Sequence, residues 1–182
     1  SNNEAHGNQH GASRERMPLH VKIVVVEDNV INNGIFDEGE GNTIRNNLVT
    51  KGESVARIKG QSANIEFFAG INIKRATKTI MTDNVAAGCA QGGYITRGSP
   101  SDEEYIWSNN EAHGNQHGVH VNSMGQSRVS SGVVVVKDFF AWMNYDYAVY
   151  VLNEDSVEVS DIISVDNGVG ILTHIVGPSA DS

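Results

Sequence analysis

The chain is poor in cysteine, proline and basic charge. The shortages of cysteine and of basic charge argue against internal disulfides and against anionic partners. Cys89 is the single cysteine, so the chain contains no internal disulfide, although Cys89 could pair outside it. A formal net charge of −9 without any basic run argues against nucleic acid and anionic membrane surfaces as partners. Apolar runs extend over only a few residues, so this segment is not expected to insert directly into a membrane. No N-x-S/T glycosylation acceptor occurs.

Helical signals are also missing, whereas short β-branched runs recur along the whole chain. Nineteen glycines against three prolines indicate many tight turns. The runs, most of them with asparagine and glycine, lie at 22–35, 42–52, 79–95, 104–121, 133–151 and 157–172. Strands of three to six residues with frequent turns are typical of an all-β protein.

The spacing of the runs indicates a repeat. The bend residues Asn84, Asn110, Asn144 and Asn167 lie 26, 34 and 23 residues apart. A unit of about 22 to 25 residues with loop insertions predicts the coil of a right-handed parallel β-helix, as a single segment over 1–182. The side chains expected to stack inward are Val25, Ile44, Val85, Val135, Val159 and Ile171. The asparagines expected to stack at the turns are Asn47, Asn84, Asn110, Asn144 and Asn167.

A β-sandwich is the alternative fold. It would connect its strands by hairpin turns, for which Asn33-Gly34 and Asn167-Gly168 are suitable dipeptides. It would not show a common repeat length, so the spacing favours the β-helix.

The phrase SNNEAHGNQHG occurs twice, at 1–11 and again at 108–118. Duplication of a whole repeat should leave similar flanks, but the residues after the two copies differ. The unlike flanks, and a first residue that is not methionine, indicate a chain taken from, or assembled from, a longer protein. We therefore expect a fragment of a much larger extracellular protein.

Five motifs, in order, carry a family resemblance. They are GNTIRNNL (41–48), DNVAAGCAQGGY (83–94), WSNNEAHGNQHGVHV (107–121), FFAWMNYDYAVYV (139–151) and ISVDNGVGIL (163–172). Together they resemble the parallel β-helix region of the fibrocystin and fibrocystin-L-like family. That region is shared with the cell-migration-inducing hyaluronan-binding proteins and the transmembrane protein 2 hyaluronidases. The resemblance implies a large, membrane-anchored surface glycoprotein of cilia, flagella or stereocilia coats, and, in the hyaluronidase branch, hyaluronan cleavage.

Three histidines form the first candidate site. His113, His117 and His120 are close enough in sequence to ligate zinc or copper. The alternative is a set of turn and strand side chains that contact the next coil. In one extended strand His117 and His120 would point to opposite faces, since three is an odd spacing.

An acidic cluster forms the second candidate site. Asp37, Glu38 and Glu40 could serve as acid and base on a glycosidic bond. The candidate catalytic carboxylates are Asp37 and Glu40, with His113 or His117 near the same groove. They could instead bind calcium, the one cofactor that the sequence suggests. A solvated loop is the simpler interpretation, because the spacing of a known calcium loop is absent.

Aromatic residues form the third candidate site. Trp142, Tyr145 and Tyr147 could stack on sugar rings, although core or coil-to-coil packing explains most aromatic side chains in this stretch equally well.

The sequence therefore predicts a structural or adhesive section of a cell-surface or ciliary or flagellar coat. Its partners would be neighbouring coils, adjacent chains in a coat or fibre, and glycans. The alternatives are a polysaccharide-degrading β-helix enzyme and a carbohydrate-binding module without catalysis.

Overall fold

A computed structural model describes residues 2–6, 10–14, 20–21, 23–27, 33–37, 41–50, 69–74, 79–97, 106–122, 134–153 and 157–175. Within these ranges all regular structure is β-strand. The strands are β1 (Asn2–His6), β2 (His10–Arg14), β3 (His20–Val21), β4 (Ile23–Glu27), β5 (Asn33–Asp37), β6 (Thr43–Arg45), β7 (Leu48–Thr50), β8 (Ala69–Lys74), β9 (Ile80–Thr82), β10 (Val85–Ala87), β11 (Gly92–Arg97), β12 (Ile106–Ser108), β13 (Asn110–His113), β14 (His117–Asn122), β15 (Val134–Trp142), β16 (Tyr147–Asn153), β17 (Val157–Val165) and β18 (Val169–Ile175).

The strands form three parallel sheets that the chain visits in turn. Sheet A runs β1-β4-β7-β10-β13-β15-β17, sheet B runs β2-β5-β8-β11-β14-β16-β18, and sheet C runs β3-β6-β9-β12. Each circuit adds one strand to sheet A and one to sheet B, which makes seven coils, numbered 1 to 7 along the chain, and the four strands of sheet C belong to coils 1 to 4. Every described strand pairing is parallel, so the architecture is the predicted parallel β-helix and the β-sandwich alternative is wrong.

Coil length varies because loops of different size enter between the strands. Equivalent positions in successive coils lie 37, 26, 29 and 23 residues apart, from Asn47 to Asn84, Asn84 to Asn110, Asn115 to Asn144 and Asn144 to Asn167. The shortest of these agrees with the predicted unit, and the longer ones contain the predicted insertions.

Inward side chains stack as ladders along the solenoid axis. In sheet B the register aligns Ile35, Ile71, Tyr94, Val119 and Val149, each at most 1% exposed. Sheet A contributes Val49, Ala86, Ala112 and Ala141 at 0%, and sheet C contributes Ile44, Met81 and Trp107. This close-packed column is the hydrophobic core of the coils.

The predicted inward set was right in part. Ile44 is buried as expected, but Val85 and Val135 are only half-buried, and Ala86 and Val136 take the inward positions instead. A left-handed residue at a corner breaks the inward–outward alternation of side chains. An alternation continued along the sequence past such a corner therefore assigns residues to the wrong face of the sheet.

The remaining members of the predicted inward set lie at the margins of the described region. Val159 packs partly buried against the core, and Ile171 is exposed on coil 7, the last coil that the structure describes. The side chain of Val25 lies outside the described residues.

Two corners of the coil each contain a residue in the left-handed backbone conformation. At the corner between sheets C and A, the residue that enters sheet A has a left-handed conformation, with φ from 48 to 58° at Asn46, Asp83, Asn109, Asp138 and Asp161. At the corner between sheets A and B the left-handed residues are Gly88, Gly114, Met143 and Asp166, with φ from 52 to 65°. Asparagine, aspartate and glycine tolerate this conformation best, and they occupy all of these corner positions except that of Met143.

The two copies of the repeated phrase occupy the same part of the coil. In the first copy β1 belongs to sheet A and β2, in sheet B, begins at His10; in the second copy β13 belongs to sheet A and β14, in sheet B, begins at His117. The described residues of both copies therefore form a sheet A strand and the start of the following sheet B strand.

Candidate functional site

Asparagine side chains form a hydrogen-bonded ladder along the C–A corner. In this first ladder, Asn47 donates from its backbone N–H and from Nδ2 to Asn84 Oδ1, at 3.1 and 2.7 Å. Asn84 repeats the arrangement with Asn110 Oδ1 at 3.1 and 2.9 Å, and its Nδ2 also donates to the Ile44 carbonyl at 3.0 Å. The three asparagines are at most 2% exposed. A buried polar network that is satisfied in this way fixes the register between coils.

A second ladder follows the A–B corner through Asn115, Asn144 and Asn167. Asn115 donates from N–H and Nδ2 to Asn144 Oδ1 at 3.2 and 3.1 Å, and Asn144 donates likewise to Asn167 Oδ1 at 2.9 and 2.8 Å. One coil earlier, Cys89 occupies the same position and donates its N–H to Asn115 Oδ1 at 2.8 Å. The thiol of Cys89 is buried beside this corner.

The five asparagines predicted at turns therefore belong to two different ladders. Asn47, Asn84 and Asn110 line one corner, while Asn144 and Asn167 line the other. Asn115 was missed, although it precedes Asn144 by 29 residues, a separation close to the predicted repeat, and follows a glycine suited to a left-handed corner. Comparing each asparagine with the next repeat would have found it.

Of the three candidate metal-ligating histidines, His113 lies on the outer face of sheet A. Its imidazole stacks on the indole of Trp142 in the next coil, with ring centroids 4.3 Å apart and an interplanar angle of 26°. Glu111 Oε1 joins the two rings, since it lies 2.9 Å from His113 Nδ1 and accepts a hydrogen bond from Trp142 Nε1 at 2.8 Å. We call these three residues the Trp142 stack. It ties coil 5 to coil 6.

His117 and His120 lie on the outer face of sheet B. Their ring centroids are 6.0 Å apart and both rings contact Tyr150, so the expectation that they point to opposite faces is wrong. The strand register is constant across this stretch, because His117 pairs with Tyr147, Val119 with Val149 and His120 with Tyr150. His117, His120, Tyr147 and Tyr150 together are called the His117 cluster.

Burial is the main influence on His117. It lowers the pKa of the imidazole, and the carboxylate of Asp146, 3.8 Å from Nδ1, opposes that effect only in part. Stacking of His117 on Tyr147 at 5.2 Å keeps the ring between two coils. The neutral imidazole is therefore the form that the fold favours.

The three histidines do not converge. His113 belongs to the Trp142 stack in sheet A, whereas His117 and His120 belong to the His117 cluster in sheet B. Across the described ranges, no group of three or more histidine, cysteine, aspartate or glutamate side chains is placed to hold a metal ion. The zinc or copper site stays a prediction without an assembled ligand set.

Asp37, one of the candidate catalytic and calcium-binding residues, lies between coils 2 and 3. It is 5% exposed; Oδ1 accepts a hydrogen bond from Asn42 Nδ2, and Oδ2 accepts one from Thr79 Oγ1 at 3.0 Å. Its side chain therefore joins two coils. Glu38 and Glu40 lie outside the described residues, so the proposed pairing of Asp37 with Glu40 stays a prediction.

The structure separates Asp37 from the histidines that were expected to assist it. In sheet B, β5 and β14 are three strand spacings apart, which is roughly 14 Å at about 4.8 Å per spacing. Glycosidases place their two catalytic groups roughly 5 to 9.5 Å apart. Asp37 and His117 are therefore not an acid–base pair of that kind.

The candidate sugar-binding aromatics lie on three different surfaces. Trp142 is on sheet A, where His113 covers one face of its indole; Tyr147 is on sheet B, where its ring stacks on those of His117 and Tyr150. Tyr145 lies at the A–B corner and is 82% exposed. Trp142 and Tyr147 thus pack between coils, and only Tyr145 among the three presents a free ring.

Comparison with curated proteins agrees with the motif order noted in the sequence. The chain is 35% identical over 154 residues to fibrocystin from Mus musculus, which covers 82% of the chain, and 30% identical over 167 residues to fibrocystin-L from Homo sapiens, which covers 86%. The chain belongs to the fibrocystin family. It spans about 4% of the length of each of these relatives. No protein-family model and no solved structure matches it.

The similarity to the fibrocystins confirms the predicted family. Over the part of the chain that the structure describes, no helix is long and apolar enough to cross a membrane. What this fibrocystin-family segment offers chemically is therefore a set of coil-to-coil contacts: two amide ladders and two aromatic–imidazole groups on the outer faces.

Proposed function

We propose that this fibrocystin-family chain is a structural section of a large cell-surface protein, lying in its extracellular part. The observation that carries the proposal is that the candidate chemical side chains lie in contacts between coils. Asp37, His113, His117 and Trp142 each contact a residue of an adjacent coil. Side chains committed in this way stabilise a solenoid and are poorly placed to change partners during a reaction.

The solenoid is suited to spanning distance at a cell surface. Each coil adds about 4.8 Å of length, and the apolar core continues from one coil to the next. A coat of a cilium or flagellum is the specific setting that we propose, with neighbouring coils and adjacent chains as partners.

The location is tested with antibodies raised against the 182-residue chain. We expect them to label intact, unpermeabilised cells that express the full protein, with enrichment on cilia or flagella where these are present. Labelling that appears only after permeabilisation would contradict the proposal. A tubulin antibody, which labels only permeabilised cells, is the control for membrane integrity.

Glycan binding is a second candidate function, favoured by the exposed ring of Tyr145. Such a ring can stack on the apolar face of a sugar. Loss of glycan-array binding in Tyr145→Ala, with binding retained in Met143→Ala, would support it; Met143 is the matched control because it is also exposed at the same corner. An array without any bound glycan would contradict it.

The enzyme alternative is tested by a polysaccharide depolymerisation assay. It uses the native chain with His113→Ala and Glu40→Ala. Turnover that falls in either variant would favour an enzyme, and our proposal of a structural section expects no turnover in any of the three proteins.

A further inference from the structure

Coil 6 carries two large apolar side chains at the A–B corner, where its neighbours carry small or polar ones. Met143 is 58% exposed and Tyr145 is 82% exposed, although coils 5 and 7 flank coil 6, so both side chains project from the side of the solenoid. The equivalent positions in coils 4, 5 and 7 hold Gly88, Gly114 and Asp166 for Met143, and Ala90, Gln116 and Gly168 for Tyr145. The corner therefore forms without these large side chains.

Met143 is placed at this corner against the preference of its backbone. Its φ of 53° lies in the left-handed region, which glycine adopts freely and which a residue with a long side chain disfavours. More than half of the side chain is exposed, so burial within the chain returns little for that strain. Strained residues of this kind are concentrated at binding sites, which directs attention to what the exposed side chain contacts.

An aromatic surface joins this corner to the outer face of sheet A. Phe140 is 37% exposed, and its ring stacks beside that of Trp142 with centroids 6.3 Å apart and an interplanar angle of 23°. The Trp142 stack fixes the indole from coil 5. We call Phe140, Trp142, Met143 and Tyr145 the coil 6 ridge. Aromatic residues and methionine are enriched at the centres of protein–protein interfaces, so the ridge has the composition of one.

The surroundings of the coil 6 ridge are acidic. Asp146 directly follows Tyr145, and its Oδ2 accepts a hydrogen bond from Gln116 Nε2 at 2.9 Å, which orients a carboxylate that is 29% exposed. Asp166 takes the corner position of Met143 one coil later. Within 110–122, 134–153 and 157–175, one residue is a lysine, none is an arginine and six are carboxylates, namely Glu111, Asp138, Asp146, Glu158, Asp161 and Asp166. A cationic partner is therefore attracted to this side of the solenoid and an acidic one is repelled.

We propose that the coil 6 ridge binds an arginine-bearing basic segment of a partner protein. A planar guanidinium can stack on the exposed ring of Tyr145 and donate hydrogen bonds to the carboxylate of Asp146. Lysine supplies the charge without the planar face, so it should bind more weakly. The proposal rests on the structural role proposed above, because it gives the chemistry by which the section contacts an adjacent chain.

The binding is measured by titrating the 182-residue chain, labelled with nitrogen-15, with a peptide of alternating glycine and arginine at low salt. Lysine and glutamine versions of the peptide are the controls for guanidinium chemistry and for charge. We expect the arginine peptide to shift the amide signals of 143–146, to bind at least threefold more tightly than the lysine peptide, and to bind more weakly as salt is added. Absence of these shifts at millimolar peptide, or equal binding of the lysine or glutamine version, would overturn the proposal.

Variants separate the ridge from general stickiness of the surface. Tyr145→Gln and Asp146→Asn should each weaken binding of the arginine peptide at least fivefold, with an unchanged circular dichroism spectrum. Leu48→Ala is the matched control, because Leu48 is also an exposed apolar residue, 38% exposed on the outer face of sheet A in coil 3. Binding by Tyr145→Gln that equals that of the native chain, or an equal loss in Leu48→Ala, would overturn the proposal.

Met143→Gly gives a readout that a purely structural role would not produce. It restores the residue that coils 4 and 5 use at this corner, so it should raise the Tm by relieving the left-handed strain. It should also weaken binding of the arginine peptide at least threefold. A variant that gains stability and binds as the native chain does would remove Met143 from the ridge and overturn its proposed role.

Sugar stacking on Tyr145 is the competing use of this corner. It needs the ring but neither the carboxylate of Asp146 nor a charged ligand, so glycans that bind to the native chain while the arginine peptide does not would overturn the proposal. Surface labelling of cells is independent of both measurements. Failure of the peptide to bind is therefore distinguishable from failure of the structural role.

Discussion

The two asparagine ladders differ in how far they continue through the described coils. The first ladder stops at Asn110, and in the next two coils Phe139 and then Ile162 occupy its position. Phe139 is buried, and its ring meets that of Tyr94 edge-on at 5.1 Å. The second ladder continues to Asn167 in coil 7, the last coil that the structure describes, where Asn167 is only partly buried.

The difference shows what each kind of corner requires. An asparagine column satisfies two donors and an acceptor per coil, so it tolerates full burial. An apolar column needs a partner of matching shape, which Tyr94 supplies beside Phe139. A ladder can therefore change from amide to apolar where the core supplies a large ring.

The largest effect is expected from breaking the first ladder at its centre. Asn84→Ala removes the acceptor for two donors of Asn47 and leaves the Ile44 carbonyl and Asn110 Oδ1 short of donors. At about 1 to 3 kcal/mol for a buried polar group without a partner, we expect a loss of about 3 to 5 kcal/mol in the free energy of unfolding. Urea denaturation measures it.

Asn109→Gly is the matched control for that variant. Asn109 is exposed and left-handed, so glycine should cost less than about 1 kcal/mol. Equal losses in the two variants would mean that the ladder does not contribute specially.

The second ladder should weaken toward its exposed end. Asn144→Ala removes the acceptor for two donors of Asn115 inside the coil stack, whereas Asn167→Ala removes an acceptor that water can replace. We expect about 2 to 4 kcal/mol for Asn144→Ala and about 1 kcal/mol for Asn167→Ala, compared by the same denaturation experiment. A larger loss at Asn167 than at Asn144 would contradict the gradient.

Much of the fold and most of the ladder residues could be predicted from the sequence. The repeat, the parallel fold and five of the six ladder asparagines follow from β-branched runs and recurrent Asn positions. Assignment to the correct corner could not be predicted, because the two corners use the same residue types and only the pairing across coils separates Asn110 from Asn115.

The candidate sites were harder to predict for a physical reason. Local spacing placed His113 with His117 and Asp37 with its acidic neighbours. In a solenoid the neighbours of a side chain are one repeat away, so His113 meets Trp142 and Asp37 meets Thr79. His117 and His120 also lie on the same side of sheet B, although their odd spacing predicted opposite faces.

Tyr94 contacts both Asn84 in the first asparagine ladder and Phe139, the apolar residue that replaces asparagine two coils later. A Tyr94 variant therefore tests how far the apolar position depends on the ladder. Its hydroxyl donates to the Asn84 carbonyl at 2.7 Å, and burial raises the pKa of the phenol, which stays neutral. Tyr94→Phe keeps the ring beside Phe139 but leaves that carbonyl without this donor. We expect a loss of about 1 to 2 kcal/mol by urea denaturation. Tyr145→Phe, at an exposed ring, should change stability by less than about 0.5 kcal/mol, and a similar loss in both would contradict this role.

The smallest expected effect is a pH dependence of the folding stability that arises from His117. Because burial lowers the pKa of His117 in the folded chain below its ordinary value near 6.5, the unfolded chain binds a proton more readily. The contribution of His117 is thus present above pH 6.5 and is lost as pH falls from there through the lower pKa of the folded state. His117→Gln should lose less stability than the native chain between pH 7.5 and 5, measured by Tm. Parallel pH profiles for the two proteins would contradict this assignment, since the nearby Asp146 and the rings of His120, Tyr147 and Tyr150 are common to both.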